Sequence, residues 1–123
     1  MYIFYKSLFL LYLYQGVPMN QQIIDNAPEA TKFLKALANK NRLLIMYHLL
    51  DGEKSVGGLE NLLNIRQPTL SQHLARLRAE HFVKTRRDAK TIYYSLESED
   101  VILTIQFLHK IFCEQPSELV AAE

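Results

Sequence analysis

Apolar residues recur along this chain at a helical period, then at a strand period, then at a helical period again. In residues 66–80, Leu70, Leu74 and Leu77 fall at i, i+4 and i+7, one face of a helix. At about 100° per residue, Pro68, Thr69, Ser71, Gln72 and Arg76 point away from that stripe. Pro68 suits the first helical position, where a missing N–H costs nothing, so the helix is expected to start there, just after Gln67. Short hydroxyls and an amide near a helix N-terminus can bond base edges, and the terminus itself favours phosphate. An ordinary polar surface helix has the same pattern, so the neighbouring stretches decide.

Upstream, residues 20–38 read as an amphipathic helix. Ile23, Ala27, Ala30, Phe33, Leu34 and Leu37 form its stripe, with Lys32 and Lys35 outside; Pro28 kinks it or splits it in two. Asn39 or Asn41 caps the next helix, over 41–51. Leu43, Leu44, Ile45, Met46, Leu49 and Leu50 make that helix apolar almost all round, which predicts burial, and Asp51-Gly52 is expected to end it with a left-handed stop. Ser55 caps a short helix carrying Leu59, Leu62 and Leu63, and Asn64 to Gln67 turns into the Pro68 helix. Helix, short turn, helix with an apolar inner seam is the helix-turn-helix layout.

After His81 the period becomes two. Residues 82–86 and 91–96 alternate, with Ile92, Tyr94 and Leu96 on one side and Thr91, Tyr93 and Ser95 on the other; Arg87-Asp88-Ala89-Lys90 is the expected hairpin tip. A two-stranded ribbon tipped with Arg86, Arg87 and Lys90 is a wing whose cations can reach phosphate or the minor groove. Ser98 then caps a last helix with Val101, Ile105, Leu108 and Phe112 on one face. Ile102, Leu103 and Ile111 add apolar surface beyond that face, enough to want a second partner. Gln115-Pro116 stops the helix, and residues 116–123 form a short tail.

Composition changes this picture little. At 123 residues and 49% hydrophobic content the chain supports one small core. Formal net charge is +1, so no global basicity announces nucleic acid, yet Arg76, Arg78, Lys84, Arg86, Arg87 and Lys90 fall within fifteen residues that hold only Glu80 and Asp88 as acids. Cys113 is the single cysteine, which excludes a disulfide framework within the chain and fits a cytoplasmic setting. Met1 to Tyr14 is apolar except for Lys6 and Ser7, too short for a usual membrane span and followed by the breaker Gly16-Val17-Pro18. Residues 1–18 are therefore read as an extension from an upstream start, with Met19 the true initiator. An extra dimer-packing helix and a membrane anchor, which would make the protein a tethered regulator, are the alternatives. The domain proper is expected over 19–115, mainly α with a two-stranded wing. No phosphate loop, metal cluster or nucleophile-base pair stands out, so neither an enzyme nor a cofactor is expected.

Three stretches resemble a known family. Leu37-Ala-Asn-Lys-Asn-Arg-Leu-Leu-Ile45 looks like the opening, Gln67-Pro-Thr-Leu-Ser-Gln-His-Leu74 like the recognition helix and Arg86-Arg-Asp-Ala-Lys-Thr-Ile-Tyr-Tyr-Ser-Leu96 like the wing of the ArsR/SmtB winged helix-turn-helix repressors. The resemblance covers about residues 20–115. Residues 52–57 and Ile111-Phe112-Cys113 look most like the branch of biofilm-growth and sulfide-responsive repressors and the related activators (BigR, SqrR, HlyU). It implies a homodimer through the first and last helices, bound to an imperfect palindromic operator in double-stranded DNA. On matching positions it implies groove contacts from Gln67, Pro68, Ser71 and Gln72. Thr69 shares their outer face on the helical wheel and joins them as a base-reading candidate. The charge run makes Arg76, Arg86, Arg87 and Lys90 the phosphate candidates, although such a run is often just a solvated face.

Sensing is where the chain departs from the family. The thiolate metal site would need a Cys-Val-Cys-like run where Ser55-Val56-Gly57 stands, and the last-helix zinc site would need an Asp-x-His where Glu99, Asp100 and Val101 stand. His109 and Cys113, at i and i+4, are the one remaining pair of metal-ligand candidates; two such pairs across a dimer would give four ligands. Cys113 matches the C-terminal cysteine of the sulfide-responsive branch, but Tyr47 stands where its partner thiol belongs. Cys113 is thus the sensing candidate for reactive sulfur or redox state, and a small buried hydrophobe is the plainer alternative. His73, beside the leucine face, is read as a packing histidine, and Tyr93 and Tyr94 as packing residues of the wing.

Overall fold

The computed structural model describes residues 21–113. The expectations for the 1–18 extension, the Met19 start, the stop at Gln115-Pro116 and the 116–123 tail lie outside the described residues. The chain divides after Leu34 into two units. In the first, α1 (Gln21–Leu37, its last turn already in the second unit) runs as one helix through Pro28. A helix exposed along this length can leave the Ile24 carbonyl, which Pro28 cannot serve, to water. Of the expected stripe, Ile23 and Leu34 are 55% and 59% exposed, Phe33 is half-buried, and Leu37, in the last turn, is buried.

The second unit holds α2 (Lys40–Leu49), β1 (Lys54–Ser55), α3 (Val56–Leu63), α4 (Gln67–Ala79), β2 (Val83–Asp88), β3 (Thr91–Leu96) and α5 (Glu99–Cys113). Its core is Ile45, Met46 and Leu49 from α2, Leu59 from α3, Leu70, Leu74 and Leu77 from α4, Phe82 and Val83, and Val101 and Ile105 from α5, with Ala36 and Leu37 from the end of α1. Asn39 caps α2 by accepting from the Arg42 N–H at 3.1 Å. The Arg42 guanidinium turns back and donates to the carbonyls of Ala36 (2.6 Å) and Lys35 (3.2 Å), groups that the end of α1 leaves without helical partners.

Burial of α2 differs from the expectation. Leu44 and Tyr47 are 36% and 41% exposed, because the core lies on one side of the helix only. The helix also ends earlier: Leu50 is still right-handed, and the positive φ comes at Gly52. Ser55 caps α3 through the Gly58 N–H at 3.0 Å, and Asn64 ends it in the left-handed conformation.

The sheet has three strands in the order β1-β3-β2, all antiparallel, where two were expected. Lys54 pairs with Tyr94 and Ser55 with Tyr93. Two residues are too few to show a period, which hid this strand in the sequence. β2 and β3 pair from Val83↔Leu96 to Asp88↔Thr91, so the turn is Ala89-Lys90 alone, with Ala89 at φ +54°. Near this tip Ile92 is 40% exposed.

On α5, Ser98 caps the first turn through the Val101 N–H, and Val101 and Ile105 are buried. Phe112 is 78% exposed rather than part of the buried face, because the core ends about two turns before it. Leu103, Phe107 and Ile111, at i, i+4 and i+8, form a second apolar stripe that is 50–62% exposed. Among the described residues no helix is long and apolar enough to cross a membrane.

Candidate nucleic-acid interface

The leucine stripe positions α4. Leu70, Leu74 and Leu77 are each at most 1% exposed, which fixes the helix rotation and turns the opposite face outward. Gln67, Pro68, Thr69, Ser71, Gln72 and Arg76 are all exposed on it. The helix starts at Gln67, one residue before the expected start, so Pro68 is its second residue. A residue before proline is biased away from helical angles, which made Gln67 look like turn; the second helical N–H also lacks a partner, so proline is tolerated there. Arg66, the residue before the helix, makes no side-chain cap.

The other end of α4 is locked. His81 takes φ +59°, its N–H bonds the Arg78 carbonyl at 3.0 Å, and the Phe82 N–H bonds the Leu77 carbonyl at 2.9 Å. This paired bonding, with Leu77 and Phe82 both buried, is a Schellman motif. It sets the direction in which the chain leaves the helix for the wing.

His73 is half-buried and receives a hydrogen bond from the Asn41 amide at 3.4 Å on Nε2. Burial, and then the charge of Arg42, hold its pKa below the usual histidine value of 6.5. It packs between helices while Gln72, its neighbour, faces out.

The candidate phosphate ligands are not equivalent. Arg76 lies 3.6 Å from Glu80 one turn on, its side chain half-exposed. Arg87 donates from Nε to the Ala89 carbonyl at 3.2 Å and so braces the turn, while Lys90 is exposed within it. Arg86 is tied down at the wing's base. Its Nε and Nη2 donate to the two Glu53 carboxylate oxygens at 3.0 and 2.6 Å, and its guanidinium lies 4.6 Å from the centre of the Tyr93 ring. The hydrogen bonding lowers the Glu53 pKa and raises that of Arg86. Strand alternation explains the grouping: Tyr93, opposite both Ser55 and Arg86, shares their face, and Glu53 lies two residues before Ser55. Arg87 faces the other way, opposite Ile92.

Glu53 and Arg42 were missed in the sequence. Glu53 meets a partner 33 residues away, and only the third strand, invisible as a period, brings the two together.

Between α2 and α5 lies a concavity of about 380 Å³ lined by Tyr47, His48, Leu50, Asp51, Gln106 and His109. The rings of Tyr47 and His109 are stacked, 5.5 Å between centres and 23° between planes. His109 Nδ1 is buried and has no hydrogen-bond partner among the described residues. Cys113, one turn further on, is exposed at the end of α5 in the single chain. Among the described residues no three of His, Cys, Asp or Glu stand together as metal ligands would.

Residues 39–85, from the α2 cap to β2, match the model of the bacterial regulatory proteins of the arsR family. The chain is 46% identical over 101 residues to the transcriptional activator HlyU of Vibrio cholerae serotype O1, covering 81% of this chain and 94% of that protein. It is also 46% identical over 93 residues to a biofilm growth-associated repressor of Agrobacterium fabrum, covering 76% and 80%. The solved structure of reduced HlyU from Vibrio cholerae superposes with a TM-score of 0.73 at 44% identity, covering 77% of this chain and all of that one.

Proposed function

The chain belongs to the arsR family of bacterial regulatory proteins, a family of DNA-binding transcriptional regulators and not of enzymes, and from that premise we propose that it acts as a homodimeric, cytoplasmic repressor reading an imperfect palindromic operator. The observation that carries the reading is the outer face of α4. Gln67, Pro68, Thr69, Ser71 and Gln72 are exposed together on a helix whose other face is anchored in the core. Side chains of this kind, on a helix of this diameter, fit the major groove. Arg87 and Lys90 on the wing tip add phosphate or minor-groove contacts. Leu103, Ile111 and Phe112, exposed on α5, support a two-fold interface through that helix and α1, since exposed apolar surface of this extent favours a partner. The similarity to a biofilm growth-associated repressor supports repression as the mode of action.

Selection from a random duplex library tests the proposal. The expected product is a two-fold motif with half-site centres about one or a few helical turns apart. Enrichment of no motif, or of a single asymmetric half-site, would overturn it.

The finer reading is a response to reactive sulfur or redox state through Cys113. The exposed thiol on the helix assigned to the dimer supports it. With one cysteine in 123 residues, no bridge can close within a chain, so the response runs through a persulfide, a small-thiol adduct or a bridge between chains. Operator affinity is to be measured before and after an organic persulfide, for wild type and Cys113→Ser. Loss of affinity in wild type alone is expected; an equal loss in Cys113→Ser, or none in either, refutes it.

A further inference from the structure

Arg86 belongs to the charge run of the wing, yet both nitrogens on one edge of its guanidinium are already bonded to a carboxylate. A carboxylate presents two oxygens to the arginine fork in the geometry that a phosphate presents. The pair is not a buried strut: the side chains of Arg86 and Glu53 are 53% and 41% exposed. Tyr93 packs against the guanidinium and keeps it beside the sheet, within reach of Glu53. Glu53 itself is carried to that spot by the short third strand.

We propose that Glu53 is an intramolecular phosphate surrogate: it occupies Arg86 in the free protein, and a DNA phosphate binds Arg86 only by displacing it. Glu53 is then a positioning residue that sets the sequence-independent part of DNA affinity. This rests on the DNA-binding reading above. Exchange of one anion for another at Arg86 leaves the number of bound anions unchanged, so the wild-type wing releases little counterion at this position. Removing the carboxylate charge makes Arg86 a net new phosphate contact.

The test is binding of a non-specific duplex by wild type, Glu53→Gln, Arg86→Ala and the double variant, across a range of salt. Glu53→Gln should bind more tightly at low salt. Its log affinity against log salt should be steeper by about one unit per wing. Over a fourfold rise in salt, that amounts to losing about 3.5-fold of its advantage per wing. In the Arg86→Ala background the same substitution should change nothing. An unchanged slope in Glu53→Gln, weaker binding by it, or an effect that persists without Arg86 would each overturn the proposal. Unfolding curves of the variants separate these results from misfolding, and exposed ion pairs contribute too little to make unfolding the expected outcome. A wild type that binds no duplex at any salt overturns the DNA-binding reading and this one together; a wild type that binds while Glu53→Gln matches it overturns this one alone.

Discussion

Gln72→Ala tests the recognition helix most directly. Gln72 is exposed, and its neighbours in the stripe, Leu70 and Leu74, are buried, so truncation removes contacts to an outside partner and none to the core. Alanine is also the best helix former, and an exposed substitution of this kind changes stability by no more than about 0.5 kcal/mol. A side-chain amide pairing with a base edge contributes about 1–3 kcal/mol of discrimination. A two-fold dimer presents Gln72 twice, so the operator should lose roughly 2–6 kcal/mol relative to random duplex, a factor of about 30 even at the lower end. The phosphate contacts are untouched, so the salt slope should stay as in wild type. Fluorescence anisotropy with operator and scrambled duplexes at three salt concentrations measures both quantities. Discrimination within twofold of wild type, or an equal loss on both duplexes, would refute the assignment of α4 as the reading helix.

Arg87→Ala should weaken binding to every sequence alike and lower the salt slope by about one unit per wing; a loss confined to the operator would mean that Arg87 reads the minor groove. His81→Gly should stabilise the fold by roughly 0.5–1 kcal/mol, since glycine takes a left-handed angle freely, and raise the melting temperature by a few degrees without altering DNA affinity. Stability should fall as pH drops below the ordinary histidine value of 6.5, because the unfolded chain takes up a proton that folded His73 resists. Urea midpoints between about pH 7.5 and 5.5 should show this slope, and His73→Gln should flatten it; an undiminished slope in the variant would assign it to another group.

Legibility in the sequence followed the number of periods an element contains. α4 repeats its apolar residues over about two turns and α5 over about three, and their buried stripes were readable except at the Phe112 end. α2 was readable as a helix but not in its burial, because a single sequence does not say on which side the core lies: Leu44 and Tyr47 have core-like character and stand exposed. The two-residue β1 left no period at all, and with it went the Glu53–Arg86 pair. Arg86 and Lys90 look alike in a charge run, yet one is held by a carboxylate and the other is exposed in the turn. Similarly, nothing in the sequence brings Tyr47 to His109, 62 positions on, and their stack required coordinates.

The held arginines bear on how a chain of net charge +1 can discriminate among DNA sequences. Non-specific affinity is almost wholly electrostatic, and the genome offers so many competing sites that the ratio of specific to non-specific binding matters more than either alone. Six cations between Arg76 and Lys90, all free, would raise affinity for every duplex equally. Glu53 holds Arg86 through two hydrogen bonds, and Glu80 lies 3.6 Å from Arg76. On the DNA-binding reading both carboxylates oppose the sequence-independent term, Glu80 from the C-terminal end of α4, two turns beyond Gln72, and Glu53 from beside the sheet. Trimming that term while leaving base contacts intact widens the ratio. The same logic explains why the two acids belong near the wing and the end of α4 rather than near its start, where a carboxylate would compete with phosphate at the helix N-terminus and lower operator affinity as well.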